Sequence, residues 1–465
     1  MKILEVLRKL EKDTKKKFGT EVYIVGGYVR DLLRRKKNND LDIVVRNITL
    51  NDTQKYLKKY GRTKRLTIHN ISGKESVTFI LFKSKNDPME AQIAVVKGIG
   101  KYKNSIHATL KQDSKQRDFT INAMYLPIRN LSPKNVIDYH GGRNDISARQ
   151  ILSVESAKDK FIKSPIRILR AFSIAARTGY TITNHVKHAI EECAYMLKKV
   201  SQEAIRLELE DILLSAKPSV QFKTMHKLGV LKIILPELEA CVNCHQDKKY
   251  HKYDVFTHLI YTCDNIEANM ILRLAALFHD IGKPIVRKII KNKVTFYKHE
   301  VIGAKEVQVI LERLRFDNKT IEKTSHLVRM HMYHYTREYT DVGVRRFITN
   351  AKVTEADINN IGNFPLFKLR RAERLGNGFK TQGVTQRQLD FEARLVKIFR
   401  ASSGFSVQDL MINGKDIMKV LKLPQGKKVG EVLKYLLKLI IETPELNKKD
   451  ILLHHALDYV VKEGK

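Results

Sequence analysis

Residues 22–45 read VYIVGGYVRDLLRRKKNNDLDIVV. A short apolar strand, Glu21 to Val25, runs into Gly26-Gly27, then into a helical segment, Tyr28 to Lys36, and a second strand follows around Leu41–Val45. Residues two apart on a strand point to one face, so Asp40 and Asp42 project together. Two carboxylates so placed suit hard cations such as Mg²⁺, which take oxygen ligands. Gly26-Gly27 closes the first strand and opens the helix. Glycines there let backbone N–H groups approach a phosphate chain, and the helix N-terminus favours negative charge. Arg30 lies on the same helix.

Further β-rich runs follow at Ser76–Phe82 and Ala91–Val96, which makes the stretch to about residue 145 a mixed α/β unit preceded by an amphipathic helix over residues 1–17. From about residue 150 helical periodicity takes over: RILRAFSIAAR, HAIEECAYMLKKV, QEAIRLELEDILL and ILRLAALFHDI. Loop signals near 140–145, 236–250 and 374–385 mark boundaries. The expected parts are a head at 1–145, a helical neck at 146–240, a metal-binding helical domain at 241–378 and a helical tail at 379–465. The fold class is α+β, a mixed sheet with helices followed by an all-α body.

A length of 465 residues fits two to four domains at about 100–200 residues each. Lys and Arg number 86 against 50 Asp and Glu, a net charge of +36, and hydrophobic residues make up 43 %. A core can form, and the excess charge favours a phosphate-rich partner, most simply nucleic acid, over an anionic membrane surface. No apolar run reaches the ~18–20 residues of a membrane span. The N-terminus lacks the apolar core of a signal peptide, and four Cys do not make a disulfide framework, so a cytoplasmic protein is expected. The string CVNCH at 241–245 matches a haem-attachment pattern that needs export, and idle thiols are the preferred reading.

The order strand, Gly-Gly, helix, paired Asp resembles the signature of the class II tRNA nucleotidyltransferase and poly(A) polymerase family, whose head is polymerase β-like. Gln116-Arg117-Asp118-Phe119-Thr120-Ile121-Asn122-Ala123 is similar to that family's RRDFTINA element, associated with ribose recognition. Pro165-Ile166-Arg167-Ile168-Leu169-Arg170-Ala171 resembles its DPxRILRA element, and residues 405–447 resemble a C-terminal segment found in bacterial members. The chain departs from the pattern at Gln92, Lys97, Gln116, Ser164 and Ser173. The resemblance implies addition of CMP and AMP from CTP and ATP to the 3′ end of tRNA. Asp40 and Asp42 would hold catalytic Mg²⁺, and Gly26, Gly27, Arg30, Arg117, Asp118, Asn122, Arg167 and Arg170 would bind nucleotide. Glu203 and Arg206 match the ExxR core of its base-selecting element. They stand i,i+3 on a helix, one accepting hydrogen bonds and the other donating them, and together could mimic a base's Watson–Crick edge. A-adding, CC-adding or poly(A) activity, or a head that only binds RNA, are the alternatives.

Seven of the sixteen His lie between 251 and 334. RLAALFHDIGKP resembles the central motif of HD phosphohydrolases, with His258, His279, Asp280 and, in LRRAERLGNG, Glu373 as implied ligands of a divalent transition metal or Mg²⁺. His299, His326 and His331 are candidates for a second ion. This activity is the rival of a different reaction class.

Overall fold

The computed structural model describes residues 3–68, 74–82, 88–96, 98, 106–291, 293–333, 335, 339–401 and 406–463, with the backbone alone at 65–68, 74–82, 88–89 and 462–463. Lys97, singled out above, and Phe405 lie outside them. The chain forms two compact units, Met1–Glu239 with Arg313–Arg315, and Ala240–Glu312 with Phe316–Lys465.

The first unit opens with α1 (Ile3–Phe18), whose Ile3, Val6, Leu7 and Leu10 are buried at helical spacing. The head sheet follows: β1 (Glu21–Val25), β2 (Leu41–Arg46), β3 (Arg62–Ile68), β4 (Lys74–Phe82), β5 (Pro88–Val95), β6 (Met124–Pro127) and β7 (Ile137–Asp138). Their order is β3-β4-β5-β2-β1-β6-β7. Every neighbouring pair is antiparallel except β2 and β5. That order puts β2 in the middle, between β1 and β5, so the strand bearing Asp42 is hydrogen-bonded along both edges. Ile24, Ile43, Val45 and Ile93 form one core with the apolar stripe of α1. Burying such a side chain contributes about 1.5–3 kcal/mol each, which fixes the strands that carry the polar residues of the opposite face.

Helix α2 (Gly27–Leu33) begins where the Gly pair requires and stops three residues short of the expected Lys36. Arg34 N–H caps back to Arg30 O, and Arg35 then adopts φ 56°, which ends the helix before the basic run is complete. Helix α3 (Leu50–Leu57) and strand β3 have no counterpart in the sequence reading. The neck supplies α4 (Ile166–Thr178) and α5 (Gln202–Leu213), packed on each other. Helix α4 ends at Gly179, whose φ of 72° supplies a left-handed cap.

In the second unit α6 (Val255–Asp264), α7 (Met270–Phe278), α8 (His299–Arg313), α9 (Asn318–Met330) and α10 (Pro365–Gly376) carry the histidines and their neighbours. A ribbon, β8 (Lys288–Ile290) with β9 (Lys293–Thr295), lies between α7 and α8 in sequence. Helices α6 and α10 cross so closely at Gly376 that a Cβ there would meet the Thr262 backbone nitrogen at 2.7 Å. The tail helices close on Ile417, Val432, Leu436, Leu452 and Ala456. All four cysteines are buried thiols outside any disulfide, and burial pushes the Cys241 and Cys244 thiols up. No described helix is long and apolar enough to cross a membrane.

Candidate active site and histidine centre

A cavity of about 410 Å³ opens on the face of the head sheet where β1 ends and β2 begins. Gly26, Gly27, Arg30, Asp40, Asp42, Arg117, Asp118, Asn122 and Arg170 all line it. Asp42 stands opposite Val25 on β1 and Gln92 on β5, and Asp40 comes immediately before the strand. Gly26 has φ 72°, and a Cβ on it would meet Asp42 Oδ2 at 3.0 Å. Glycine therefore serves twice here, for the left-handed backbone and for the close approach of a carboxylate.

Sequence reading missed the hub beneath this wall. Asp31 accepts from Arg30 Nη2 at 2.8 Å, Arg34 Nη1 at 2.8 Å and Asn38 Nδ2 at 2.7 Å. Burial opposes its charge, but these hydrogen bonds and the Arg30 charge outweigh it and hold the carboxyl below the usual range. Arg30 also donates to Asn122 Oδ1 at 3.0 Å, so it is locked rather than swinging. The opposite wall is organised likewise. Arg117 bridges Asp113 and Tyr125 at 3.1 Å each. Asp118 accepts from Phe119 N–H at 2.8 Å and from Arg170 Nη1 at 3.1 Å. Its burial is offset by the charges of Arg170 and Arg167, which keep it ionised below the ordinary value.

Two expectations about the neck come out differently. Glu203 and Arg206 are on α5 as read, but neither lines the cavity, and Arg206 pairs with Glu210 at 2.9 Å. The face of α5 that packs on α4 presents Glu208 and Asp211 instead. Glu208 receives Arg170 at 3.4 Å and the Ser173 hydroxyl, and Asp211 pairs with Arg177 at 3.4 Å. Arg167 also stays off the cavity lining. One of its nitrogens donates to Gln116 O at 2.6 Å, while its Nε and Nη1 and the neighbouring Ser164 hydroxyl are buried with no hydrogen-bond partner among the described residues.

In the second unit His258, His279, His299 and His331 converge on Asp280, and all five are buried. Asp280 Oδ2 lies 3.4 Å from His279 Nε2 and 3.8 Å from His258 Nε2. Its Oδ1 lies 3.1 Å from His299 Nε2 and 3.6 Å from His331 Nε2. Each oxygen thus faces one histidine pair. The Nδ1 atoms of His279, His299 and His331 sit 3.0, 2.8 and 2.7 Å from the carbonyls of Ala276, Phe296 and Val328. A carbonyl only accepts, so these contacts place the ring proton on Nδ1 and leave a lone pair on Nε2. The Nε2 atoms of His299 and His331 are then two lone pairs 3.2 Å apart, an arrangement that suits a shared cation. Burial pushes His258 down to about 3, so its ring too is neutral and able to ligate.

Glu373 belongs to neither triad. It stands half-buried beside the cluster, held by Arg370 Nη1 at 2.9 Å, and that guanidinium, with the nearby histidines, outweighs desolvation and takes its carboxyl down to about 2. His326 also stands apart, in neither group. Lys283, a residue the sequence reading passed over, donates to Asp280 Oδ2 at 2.6 Å and Gln246 Oε1 at 2.7 Å.

Three family descriptions match the chain in succession: the poly A polymerase head domain over residues 22–152, a probable RNA and SrmB-binding site of polymerase A over 179–242, and the HD domain over 250–399. The chain is 31 % identical over 348 residues to the multifunctional CCA protein of Cupriavidus metallidurans, covering 70 % of this chain and 79 % of that one. The chain belongs to the class II tRNA nucleotidyltransferase and poly(A) polymerase family. Other members of this family diverge in product. The CC-adding tRNA nucleotidyltransferase of Thermus thermophilus is 26 % identical, covering 90 % of this chain and 89 % of its own. The A-adding enzyme of Deinococcus radiodurans is 27 % identical, covering 70 % and 74 %. The nucleotidyltransferase fold itself is shared with the Bacillus stearothermophilus CCA-adding enzyme bound to CTP, at a TM-score of 0.66 and 18 % identity over 100 % of this chain and 99 % of that one. The head and the HD domain both point to divalent-metal chemistry.

Proposed function

We propose that the protein adds CMP and AMP from CTP and ATP to the 3′ end of tRNA in the cytoplasm, with Mg²⁺ at the head and release of pyrophosphate. The observation that carries this reading is the placement of Asp40 and Asp42 on the wall of one cavity with Gly26, Gly27 and a ring of fixed guanidinium groups. Two carboxylates lining one cavity suit Mg²⁺, which when bound there would supply activation of the RNA 3′-hydroxyl and neutralise the triphosphate. The chain's own groups do the rest. The Gly26-Gly27 backbone and the N-terminus of α2 receive phosphate oxygens. Arg30 and Arg117, each immobilised by a carboxylate, present preset positive charge, and preset charge needs no reorganisation during the reaction. Asp118 and Asn122 offer acceptors to the ribose.

Base choice is assigned to the α4–α5 wall. Arg170 with Glu208 and Arg177 with Asp211 provide the donor–acceptor pairs that Glu203 and Arg206 do not bring to the cavity. In this scheme residues 1–145 carry the chemistry, 146–240 select nucleotide and RNA, 241–378 hold the second metal centre, and 379–465 grip tRNA through the backbone. The test is incubation of the pure protein with tRNA lacking its CCA end and labelled CTP, ATP or both. Absence of incorporation with Mg²⁺ present refutes the proposal. Product sequences separate full CCA addition from CC, A or poly(A) addition.

The buried histidine centre favours a second reading, hydrolysis of phosphoesters at the HD domain, because Asp280 offers one oxygen to each histidine pair. Phosphatase activity lost in His279→Ala and kept in Asp40→Ala is the expected signature.

A further inference from the structure

Between Asp280 and Glu300 the chain carries six cations and no acidic residue. The middle of this stretch is the β8–β9 ribbon, with Lys288 opposite Thr295 and Ile290 opposite Lys293. Lys291 turns it at φ 48°. The ribbon joins no third strand among the described residues, and Lys288, Ile289, Ile290, Lys291 and Lys293 are all exposed. A two-stranded hairpin is marginal in water without a packing partner, so this one is expected to acquire a partner. Among the described residues Arg287, Lys288, Lys291, Lys293 and Lys298 form no salt bridge, whereas Lys283 at the foot of the stretch is paired with Asp280. Just past the ribbon, Tyr297 is 74 % exposed. The far end of the stretch is His299, a member of the metal cluster. The arm is therefore rooted at both ends in the histidine centre.

Cross-strand partners share a face, so one side of the ribbon presents Lys288, Ile290, Lys293 and Thr295, and the other Ile289 and Val294. One apolar pair is too small to seat in a bilayer, where binding scales with buried apolar area. Unpaired cations beside an exposed aromatic ring instead match a nucleic-acid strand. Phosphates meet the ammonium groups, and a base stacks on the ring.

We propose that the β8–β9 arm binds a single-stranded RNA segment beside the histidine centre. Arg287, Lys288, Lys291, Lys293 and Lys298 lie along its phosphates and Tyr297 stacks on a base. This surface acts whether or not the head transfers nucleotides, so the two proposals stand or fall separately.

The test uses the full chain and a labelled single-stranded RNA oligonucleotide, with affinity measured across a salt series. Lys288→Gln, Lys291→Gln and Lys293→Gln combined remove three phosphate contacts. The slope of log affinity against log salt should become shallower by about two, at about 0.7 per contact. Tyr297→Ala should weaken binding about five-fold or more with the slope unchanged. Ultraviolet cross-linking of the unaltered protein should mark a peptide within 285–298. Equal slopes and affinities, with cross-links only elsewhere, overturn the proposal. So does a triple variant that loses binding to vesicles of anionic phospholipid while keeping its RNA affinity.

Discussion

Asp118→Asn removes one negative charge from a pocket where that charge faces two guanidinium groups. Asp118 is 8 % exposed, Arg170 stands 3.1 Å away, and Arg167 adds a second positive field. Removing one partner of a buried ion pair costs about 3–5 kcal/mol, because the remaining charge is left buried. Arg170 is a third exposed and keeps Glu208 at 3.4 Å, and asparagine keeps an acceptor for the Phe119 N–H, so no more than the lower end of the range applies, about 3 kcal/mol. For a unit of this size that is a fall of about 6–12 °C in the first unit's transition, read by calorimetry or circular dichroism. The sign of the pH dependence follows from the lowered pKa in the folded state. The wild type's advantage is full above the unfolded value of 3.8 and is lost as pH falls through the lower folded one. The gap between the two proteins should be equal at pH 5 and pH 7 and smaller at pH 3. A variant melting within about 2 °C of wild type, or a gap that widens in acid, refutes the ion-pair account.

Asp40→Asn and Asp42→Asn should each lower CMP and AMP incorporation by about 10²–10³-fold or more while tRNA binding in a gel-shift assay is retained. Transition-metal content by mass spectrometry should fall by two ions per chain in Asp280→Ala, whose oxygens serve both triads, and by one in His299→Ala. Gly376→Ala drives a methyl group onto the Thr262 backbone, which should destabilise the second unit by about 1–3 kcal/mol in urea unfolding, with the first unit's transition unmoved.

Local signals carried much of this architecture. Strand β1 runs from Glu21 to Val25 as read, because an apolar run ended by two glycines leaves few alternatives. Strand β3, RTKRLTI, escaped notice because its alternation is of charged and hydroxyl residues with little apolar content. Its place depends on pairing with β4. At α5 the helix was legible and its rotation was not. Glu203 and Glu208 are five residues apart, about 140° around the axis, and which face meets the cavity is decided by packing on α4. The hub at Asp31 is not legible in the sequence because an Arg-Asp pair on a helix is ordinary, and its significance comes from Asn38 arriving from the loop. At the histidine centre the motif resemblance names His258, His279 and Asp280, and the structure brings these three together. Glu373 was chosen by motif position, but Arg370 stands one turn before it and takes its carboxylate.

The transfer cavity lies wholly within residues 25–211, and the histidine cluster wholly within 258–331, in separate compact units. Neither centre borrows a side chain from the other. A lineage can therefore let one fall silent through point mutation while selection preserves its neighbour, and inherited copies of this gene are free to differ in which of the two clusters they keep intact.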